Sequence, residues 1–424
     1  MKICIVSDYL PSTHENWSGA ELVASKTSEI LSSRGHEISH IVLSSDKKSS
    51  QSGVYFIKSP LRKLPFLAKN FPIDFVAFIK TLFILNKIKP DVVHVQAKFL
   101  FFPSAVSAFF LKIPYLFTVL DYYNLCPRNI LLRKNGKLCV YYHGVHCSDC
   151  VTQSSRYVVK KINFFFPALL KKPLFIFRKK IVDFFMNKAA GIITFSNTSR
   201  ERLLAYGYKK NKVFVLYHYP FENIQFGINT SEPVENNVIL FVGTITYHKG
   251  LYVLVKAMRD VVKKIPQVKL LIAGSGKGEY FNSIYDFIQK NNMSKNIDFL
   301  GHRSNKEILE LMNKVSMVVV PEQWHSEFGP VILIEAKLAN KVVVASEIGS
   351  IPEYIRNGED GILFQHDLPD NLSKAILSLL TDKNMAIRMG KNLSARVKNV
   401  NDFKNTFSRL EDLYSSIKGS ERGL

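Results

Sequence analysis

The stretch PEQWHSEFGPVILIEAKLAN, residues 321–340, holds the strongest fold signal in this 424-residue chain. It continues an apolar run that has the character of a buried strand, and Pro330 fits the first turn of a helix. Glu327 is therefore expected in the loop before that helix, and Glu335 is expected inside it, with seven residues between the two. A strand, a loop and a helix in this order form the repeating unit of a parallel α/β sheet.

The backbone at the start of this helix offers contacts to a polar ligand. The N–H groups of Phe328 and Gly329 are expected at a helix N-terminus, where they suit sugar hydroxyls or phosphate oxygens. Glu335 then places a carboxylate where it can accept hydrogen bonds from both hydroxyls of a ribose. Spacing alone leaves an alternative open, in which Glu327 and Glu335 are solvated glutamates of an ordinary amphipathic helix.

The alternation of strand and helix runs along the whole chain in two rounds, and the polar stretch 222–236 between them is the predicted linker. A helix with the 3.6-residue period is predicted over 20–35. The predicted strands are 2–9, 36–45, 91–97, 113–121 and 190–196 in the first round and 237–245, 268–276, 296–301, 315–322, 341–347 and 361–365 in the second.

This pattern predicts an α/β protein with two Rossmann-like, doubly wound domains that face a cleft, and with ligands at the carboxyl ends of the strands. The first domain is expected over residues 1–217 and the second over 218–400. Residues 401–424 are predicted to form a helix that crosses back onto the first domain.

The net charge of +22 is concentrated in the first half of the chain. Residues 1–215 hold 32 Lys/Arg against 12 Asp/Glu, whereas residues 216–424 hold 25 against 23. Within the insert 156–188, nine Lys/Arg alternate with seven Phe, a composition typical of a surface that lies on an anionic membrane. Residues 60–89 resemble it more weakly. The alternative is that these Phe side chains belong to the core and the charges form a solvated face.

Other features of the composition bear on the environment and on the partners. The beginning, MKICIVSDYL, reads as a buried strand and lacks the features of a secretory signal, and the five cysteines then indicate a reducing, cytoplasmic environment. We expect no binding of nucleic acid, because the basic stretches lie in no recognisable nucleic-acid module.

Several further motifs, in this order and spacing, resemble those of the glycosyltransferase family 4 group with the GT-B fold. The resemblance covers almost the whole chain and includes the two glutamates above. The motifs are S-G-A-E (18–21), D-V-V-H (91–94), F-V-G-T-I-T-Y-H-K-G (241–250), L-I-A-G-S-G (271–276) and A-S-E-I-G-S-I-P-E-Y-I (345–355).

The resemblance implies transfer of a sugar from a UDP- or GDP-sugar to an acceptor hydroxyl with retention at the anomeric carbon, and without a catalytic metal. It implies that Lys249 and backbone N–H groups bind the diphosphate, that Glu335 holds the ribose and that Glu327 holds the donor sugar at the reacting face. The implied donor-binding residues are Gly19, Thr244, Lys249, Gly274, Phe328, Gly329, Pro330 and Glu335.

Two positions depart from the family's pattern. Thr244 stands where an arginine is usual, which removes one cation from the diphosphate, and Leu120 stands where many relatives have a histidine. Asp121 is then the remaining polar group expected to orient or deprotonate the acceptor, unless it is only a turn carboxylate.

The predicted function is that of a retaining glycosyltransferase in cell-surface glycan biosynthesis, such as that of a polysaccharide or lipopolysaccharide. It is expected to act on a glycan or lipid-linked acceptor at the inner face of the cytoplasmic membrane. A transferase with a soluble acceptor and a catalytically weak or inactive relative that binds glycans or anionic lipids both remain open.

The loop 126–150 holds four of the five cysteines, in the spacing C-x12-C-x7-C-x2-C. Four thiolates with a C-x-x-C pair suit a tetrahedral structural zinc. Reduced, packed thiols and disulfides are the alternatives, and the spacing does not decide among them. The four residues are Cys126, Cys139, Cys147 and Cys150.

Overall fold

The chain folds as two compact units, one formed by Met1–Tyr217 together with Phe407–Leu424 and the other by His218–Thr406. The computed structural model describes residues 1–14, 19–44, 51–60, 74–129, 131, 133, 138, 139, 147, 150, 168–217, 237–325, 329–398 and 401–420. The predicted linker 222–236 and the part 156–167 of the basic, Phe-rich insert therefore lie outside the described residues.

In the first unit the described strands form one seven-stranded parallel sheet with the order β3-β2-β1-β4-β5-β6-β7. Because β1 has β2 on one side and β4 on the other, the strand order reverses there, which is the usual ligand position of a doubly wound sheet. The strands are β1 Lys2–Ser7, β2 Glu37–Leu43, β3 Val54–Ile57, β4 Val92–Gln96, β5 Tyr115–Thr118, β6 Gly191–Thr194 and β7 Val213–Val215.

The described helices of the first unit connect these strands, as the predicted alternation requires. A short 3-10 turn over Lys210–Lys212 precedes β7. The α-helices are α1 Gly19–Ser33, α2 Phe75–Ile88, α3 Phe101–Phe110, α4 Ala168–Lys188 and α5 Asn197–Ala205.

In the second unit the described strands form a six-stranded parallel sheet with the order β10-β9-β8-β11-β12-β13, and the reversal falls between β8 and β11. Their mostly apolar sequences reflect burial on both faces of the sheet. The strands are β8 Val238–Val242, β9 Lys269–Ala273, β10 Ile297–Gly301, β11 Met317–Val320, β12 Val342–Ser346 and β13 Ile362–Phe364.

Helices cover both faces of the second sheet and enclose its core. A 3-10 turn over Tyr247–Lys249 leads from β8 into the first of them. The helices are α6 Leu251–Lys264, α7 Glu279–Lys290, α8 Asn305–Lys314, α9 Val331–Leu338, α10 Ile351–Tyr354, α11 Pro369–Thr381 and α12 Lys383–Lys398. These two sheets confirm the predicted fold class.

The last helix, α13 Asn401–Ser420, packs on the first unit from Phe407 onward. Phe407 and Tyr414 are fully buried, and Glu411 binds Arg34 at 2.7 Å and His36 at 3.0 Å. The predicted crossing of the terminal helix back onto the first unit is thus present. Among the described residues, none of the helices has the length and apolar character needed to cross a bilayer.

Candidate active site

In the first unit, polar residues gather where β1 and β4 end side by side. Asp8, directly after β1, is buried and accepts hydrogen bonds from the backbone N–H groups of Lys98, Phe99 and Leu100 at 2.8, 3.0 and 3.1 Å. Burial raises the pKa of Asp8 to about 6, although the three donors oppose this shift. Asp8 thereby fixes the segment that leads from β4 into α3.

Asp121, the predicted acceptor residue, follows β5 with its carboxylate held by three donors. The N–H of Tyr123 donates to Oδ1 at 2.9 Å, the amide of Asn129 donates to Oδ2 at 3.1 Å, and the ammonium of Lys98 forms an ion pair with Oδ2. Burial opposes the charge of Lys98, but Asp121 and then Asp8 outweigh it and raise the pKa of Lys98. A carboxylate with its lone pairs so engaged suits orientation of a hydroxyl better than removal of a proton.

His94 lies in the middle of β4, with a hydroxyl group beside each of its ring nitrogens. One ring nitrogen is 2.7 Å from the Tyr414 hydroxyl and the other 2.6 Å from the Thr118 hydroxyl. Burial lowers the pKa of His94 to about 3, so the ring is neutral near pH 7. Gly19, a predicted donor-binding residue, is the exposed first residue of α1. Leu120, which stands where many relatives have a histidine, is half-buried.

All four cysteines of the predicted zinc loop are free thiols. Burial raises the pKa of Cys147 to about 12, and burial together with Cys126 raises the pKa of Cys139. Among the described residues, no group of three or more His, Cys, Asp or Glu is placed to hold a metal ion. The structural zinc predicted for these four cysteines stays a prediction, with reduced thiols as its alternative.

In the second unit, the loops after β8 and β9 touch through glycines. The N–H of Gly243 donates to Ala273 at 3.0 Å, and that of Ile245 donates to Ser275 at 2.9 Å. A Cβ on Gly274 would lie only 1.9 Å from the carbonyl oxygen of Gly243, so no other residue fits at position 274. Thr244, which replaces the usual arginine, is exposed beside this contact.

Lys249 is positioned by residues that follow β11. Its ammonium forms an ion pair with the carboxylate of Glu322, a side chain that is 3% exposed. The two loops are further joined where Gln323 N–H donates to the His248 carbonyl at 2.8 Å. Gly250 also has a φ of +69°, and a Cβ there would lie 1.6 Å from the Pro321 oxygen. Glu322 was not among the predicted site residues, although an acidic residue close to the end of an apolar strand is a signal visible in the sequence.

Helix α9 begins at Val331, so Pro330 directly precedes the helix and does not occupy its first turn. Gly329 is buried beside the Tyr354 ring, whereas Glu327 and Phe328 lie outside the described residues. Glu335 is 6% exposed, which excludes the alternative of a solvated glutamate at this position. Burial raises the pKa of Glu335 to about 7, although a hydrogen bond with Asn305 opposes the shift.

The second unit thus offers a lysine, closely packed glycine loops and a buried carboxylic acid near the carboxyl ends of its parallel strands. A lysine near a topological switch point is the arrangement expected of a site for an anionic nucleotide. Fold and site together define a doubly wound, nucleotide-binding α/β protein.

Comparison with known proteins identifies the family. The model for Glycosyltransferase Family 4 matches residues 17–218, and the model for Glycosyl transferases group 1 matches residues 225–396. The chain belongs to the family-4-like glycosyltransferases and has the GT-B fold, as the sequence motifs predicted.

Individual relatives share at most moderate identity with this chain, over less than half of its length. An uncharacterized glycosyltransferase of Methanocaldococcus jannaschii is 30% identical over 183 residues, 43% of this chain and 48% of that protein. A phosphatidyl-myo-inositol mannosyltransferase of Mycobacterium tuberculosis is 27% identical over 193 residues, 44% of this chain and 49% of that protein. The matches therefore span about half the length of these curated relatives.

A similar solved structure is that of HepE from Anabaena in complex with UDP. It has a TM-score of 0.68 and 16% sequence identity, and the superposition covers 98% of this chain and 100% of HepE. This likeness extends the agreement in fold to almost the whole chain.

Proposed function

We propose that the chain is a retaining glycosyltransferase that moves a sugar from a nucleotide-sugar, UDP- or GDP-linked, to a glycan or lipid-linked acceptor. The observation that carries the proposal is the Lys249–Glu322 pair at the switch point of the second sheet. The buried Glu322 holds the ammonium at the strand ends, where the departing nucleoside diphosphate needs a fixed positive charge. UDP bound to HepE supports a uridine nucleotide as the first donor to test.

Glu335 is proposed to bind the ribose of the donor. Two ribose hydroxyls donating to its carboxylate would stabilise the charged form of a group that burial otherwise keeps partly neutral near pH 7. The backbone of the Gly243–Gly274 contact and of Gly329 is proposed to lie against the rest of the nucleotide, since glycines allow a close approach.

In the reaction, the bond between the anomeric carbon and the diphosphate oxygen breaks, and the acceptor oxygen bonds to that carbon on the same face. The acceptor proton leaves with the diphosphate. Glu327 is proposed to hold the donor sugar during this step, and Asp121 to orient the acceptor hydroxyl. The ion pair of Asp121 with Lys98 favours this positioning role over that of a general base.

We also propose that the acceptor belongs to cell-surface glycan biosynthesis and is met at the inner face of the cytoplasmic membrane, with the insert 156–188 against anionic lipid. The basic, Phe-rich sequence of the insert supports this contact. The mannosyltransferase relative, which is named for a phosphatidylinositol acceptor, adds support for a lipid-linked substrate.

The proposal is tested by measuring release of nucleoside diphosphate from a panel of UDP- and GDP-sugars, together with UDP affinity by calorimetry. Lys249→Ala and Glu327→Ala are expected to reduce turnover at least about 100-fold, and Lys249→Ala is also expected to weaken UDP binding. The matched control is Lys263→Ala, at the far end of α6. Unchanged UDP affinity in Lys249→Ala would contradict the assignment of this lysine.

The alternative function is that of an inactive relative that binds glycans or lipids. It is favoured by Leu120 and Thr244, which replace the histidine and the arginine usual in the family. It predicts UDP-sugar binding without release of UDP from any donor, even with acceptor extracts. Restoring the usual residues in a Leu120→His, Thr244→Arg variant would then create turnover, whereas a true enzyme gains little from the change.

A further inference from the structure

Three helices of the first unit, α2, α3 and α4, present large apolar side chains to solvent. On α2 the outward residues include Phe75 and Phe83, which are 69% and 71% exposed, whereas the fully buried residues are Ala77, Thr81 and Leu85, of which none is aromatic. A helix that only packs against its own domain has the reverse arrangement, with Phe inside. The exposed apolar residues are Phe75, Val76, Ile79, Phe83, Phe109, Phe110, Phe177 and Phe184.

These side chains form a continuous surface across the three helices. The Phe78 ring on α2 lies 6.1 Å from that of Phe110, at the end of α3. Phe109 beside it lies 5.8 Å from Phe184 on α4. The contact between α2 and α3 is fixed by Ser107, whose hydroxyl donates to the Phe78 carbonyl at 3.3 Å. We call the exposed residues of this surface the aromatic face.

Lysines surround the aromatic face, and acidic residues are almost absent from it. Within the three described helices Asp183 is the sole acid, and it pairs with Lys179. Lys188 extends over the Phe184 ring, with its nitrogen 5.8 Å from the ring centroid. The exposed lysines on or next to the helices are Lys80, Lys87, Lys89, Lys112, Lys172, Lys180 and Lys188.

We propose that the aromatic face docks on the surface of an anionic lipid bilayer, with its Phe rings in the interface and its lysines on lipid phosphates. This extends the membrane contact proposed for 156–188 to α2 and α3, and it does not depend on the transfer reaction. Exposed rings alone would fit any apolar partner, but the surrounding lysines select a negatively charged one.

The test is co-sedimentation of the full chain with vesicles, without any nucleotide-sugar. Vesicles of phosphatidylcholine with about 30% phosphatidylglycerol are expected to bind the protein at least about tenfold more tightly than phosphatidylcholine alone. A Phe75→Ser, Phe110→Ser, Phe184→Ser variant is expected to lose at least about tenfold at both low and high salt. A Lys80→Gln, Lys87→Gln, Lys188→Gln variant is expected to lose affinity chiefly at low salt.

Because these side chains are exposed, the variants should fold, and their UDP affinity should match that of the natural chain. The matched control is Tyr285→Ser, an aromatic residue 50% exposed on α7 of the second unit, which should bind vesicles normally. Wild-type binding by the Phe variant would overturn the proposal. So would a concentration-dependent dimer of the natural chain that the Phe variant abolishes, because a second copy would then cover the face.

Discussion

At the scale of single residues, burial gives Glu335 a property that its sequence position does not reveal. Its pKa of about 7, against an ordinary value of 4.5, means that the folded protein holds a proton which the unfolded chain releases. The contribution of Glu335 to stability is therefore largest below pH 4.5 and falls as the pH rises from there to about 7. The loss amounts to about 3 kcal/mol at most.

We predict that Glu335→Gln removes this dependence, because glutamine mimics the protonated form. At pH 8 the variant should melt a few degrees above the natural chain, and at pH 5 the two should melt together. UDP affinity should be reduced in the variant, and in the natural chain it should decline below pH 7 as the carboxylate is protonated. Melting curves and calorimetry across this range measure both. A variant that is less stable at pH 8 would show that Glu335 is ionised and paired.

Lys98 is the second residue with a testable role, because its ammonium holds the carboxylate of Asp121. Lys98→Met should lower kcat/KM for transfer about 10- to 100-fold by releasing Asp121, while UDP affinity stays within about twofold. Lys98→Arg, which retains the charge, should recover part of the activity. An equal loss of UDP affinity in Lys98→Met would point to unfolding or to a role in donor binding.

At the scale of elements, the sequence predicted the positions of most strands, but it did not predict which side chains from different strands would form ion pairs. Parallel strands buried on both faces appear as apolar runs, so every described strand from β8 to β13 could be recognised locally. The partners of Asp121 and Lys249 could not, because Lys98 and Glu322 come from neighbouring strands whose order only the folded sheet defines. The burial of Glu335 could not be predicted either. Most residues of α9 are apolar, so the spacing of its apolar residues does not show which face of the helix is buried.

Helix α13 illustrates such a long-range pair and yields a prediction. Tyr414→Phe removes the hydroxyl that lies 2.7 Å from the ring nitrogen of His94 and leaves that buried nitrogen without this partner. The expected cost is about 1–2 kcal/mol, with faster amide exchange in residues 407–420. Glu411→Ala, which removes only partly exposed ion pairs, should cost less than about 1 kcal/mol. Hydrogen-exchange mass spectrometry compares the two, and an undisturbed α13 in Tyr414→Phe would contradict the role assigned to this bond.

The cysteine loop gives a second prediction at this scale. Because burial raises the pKa of Cys147 to about 12, its thiol should react slowly with a disulfide reagent in the native protein. In denaturant without reductant all five thiols should react, because those of the structure are free. A count of three or fewer would indicate disulfides. Metal analysis of the native protein then tests for zinc: about one equivalent would confirm the predicted structural zinc, and less than about a tenth of an equivalent would contradict it.

At the scale of the whole molecule, the two proposals assign recognition of the membrane to the first unit and recognition of the nucleotide to the second. The excess of positive charge lies in residues 1–215, with 32 Lys/Arg against 12 Asp/Glu, and the aromatic face lies within the same part of the chain. The second half is nearly neutral, with 25 against 23, and its lysine at the switch point is individually positioned by Glu322. A diffuse field suits a membrane surface, whereas one fixed cation suits a single diphosphate.

This division predicts separate footprints for the two ligands. UDP should slow amide exchange in residues 243–250, 274–278 and 329–338 of the second unit, because ligand contacts stabilise those loops against local opening. Anionic vesicles without UDP should protect 75–88, 101–112 and 172–188 of the first unit. Raising the salt should weaken the vesicle footprint and change the UDP footprint little, since exposed lysines are screened and the partly buried Lys249 is screened less. If vesicles protected mainly the second unit, the assignment of membrane contact to the first unit would be wrong.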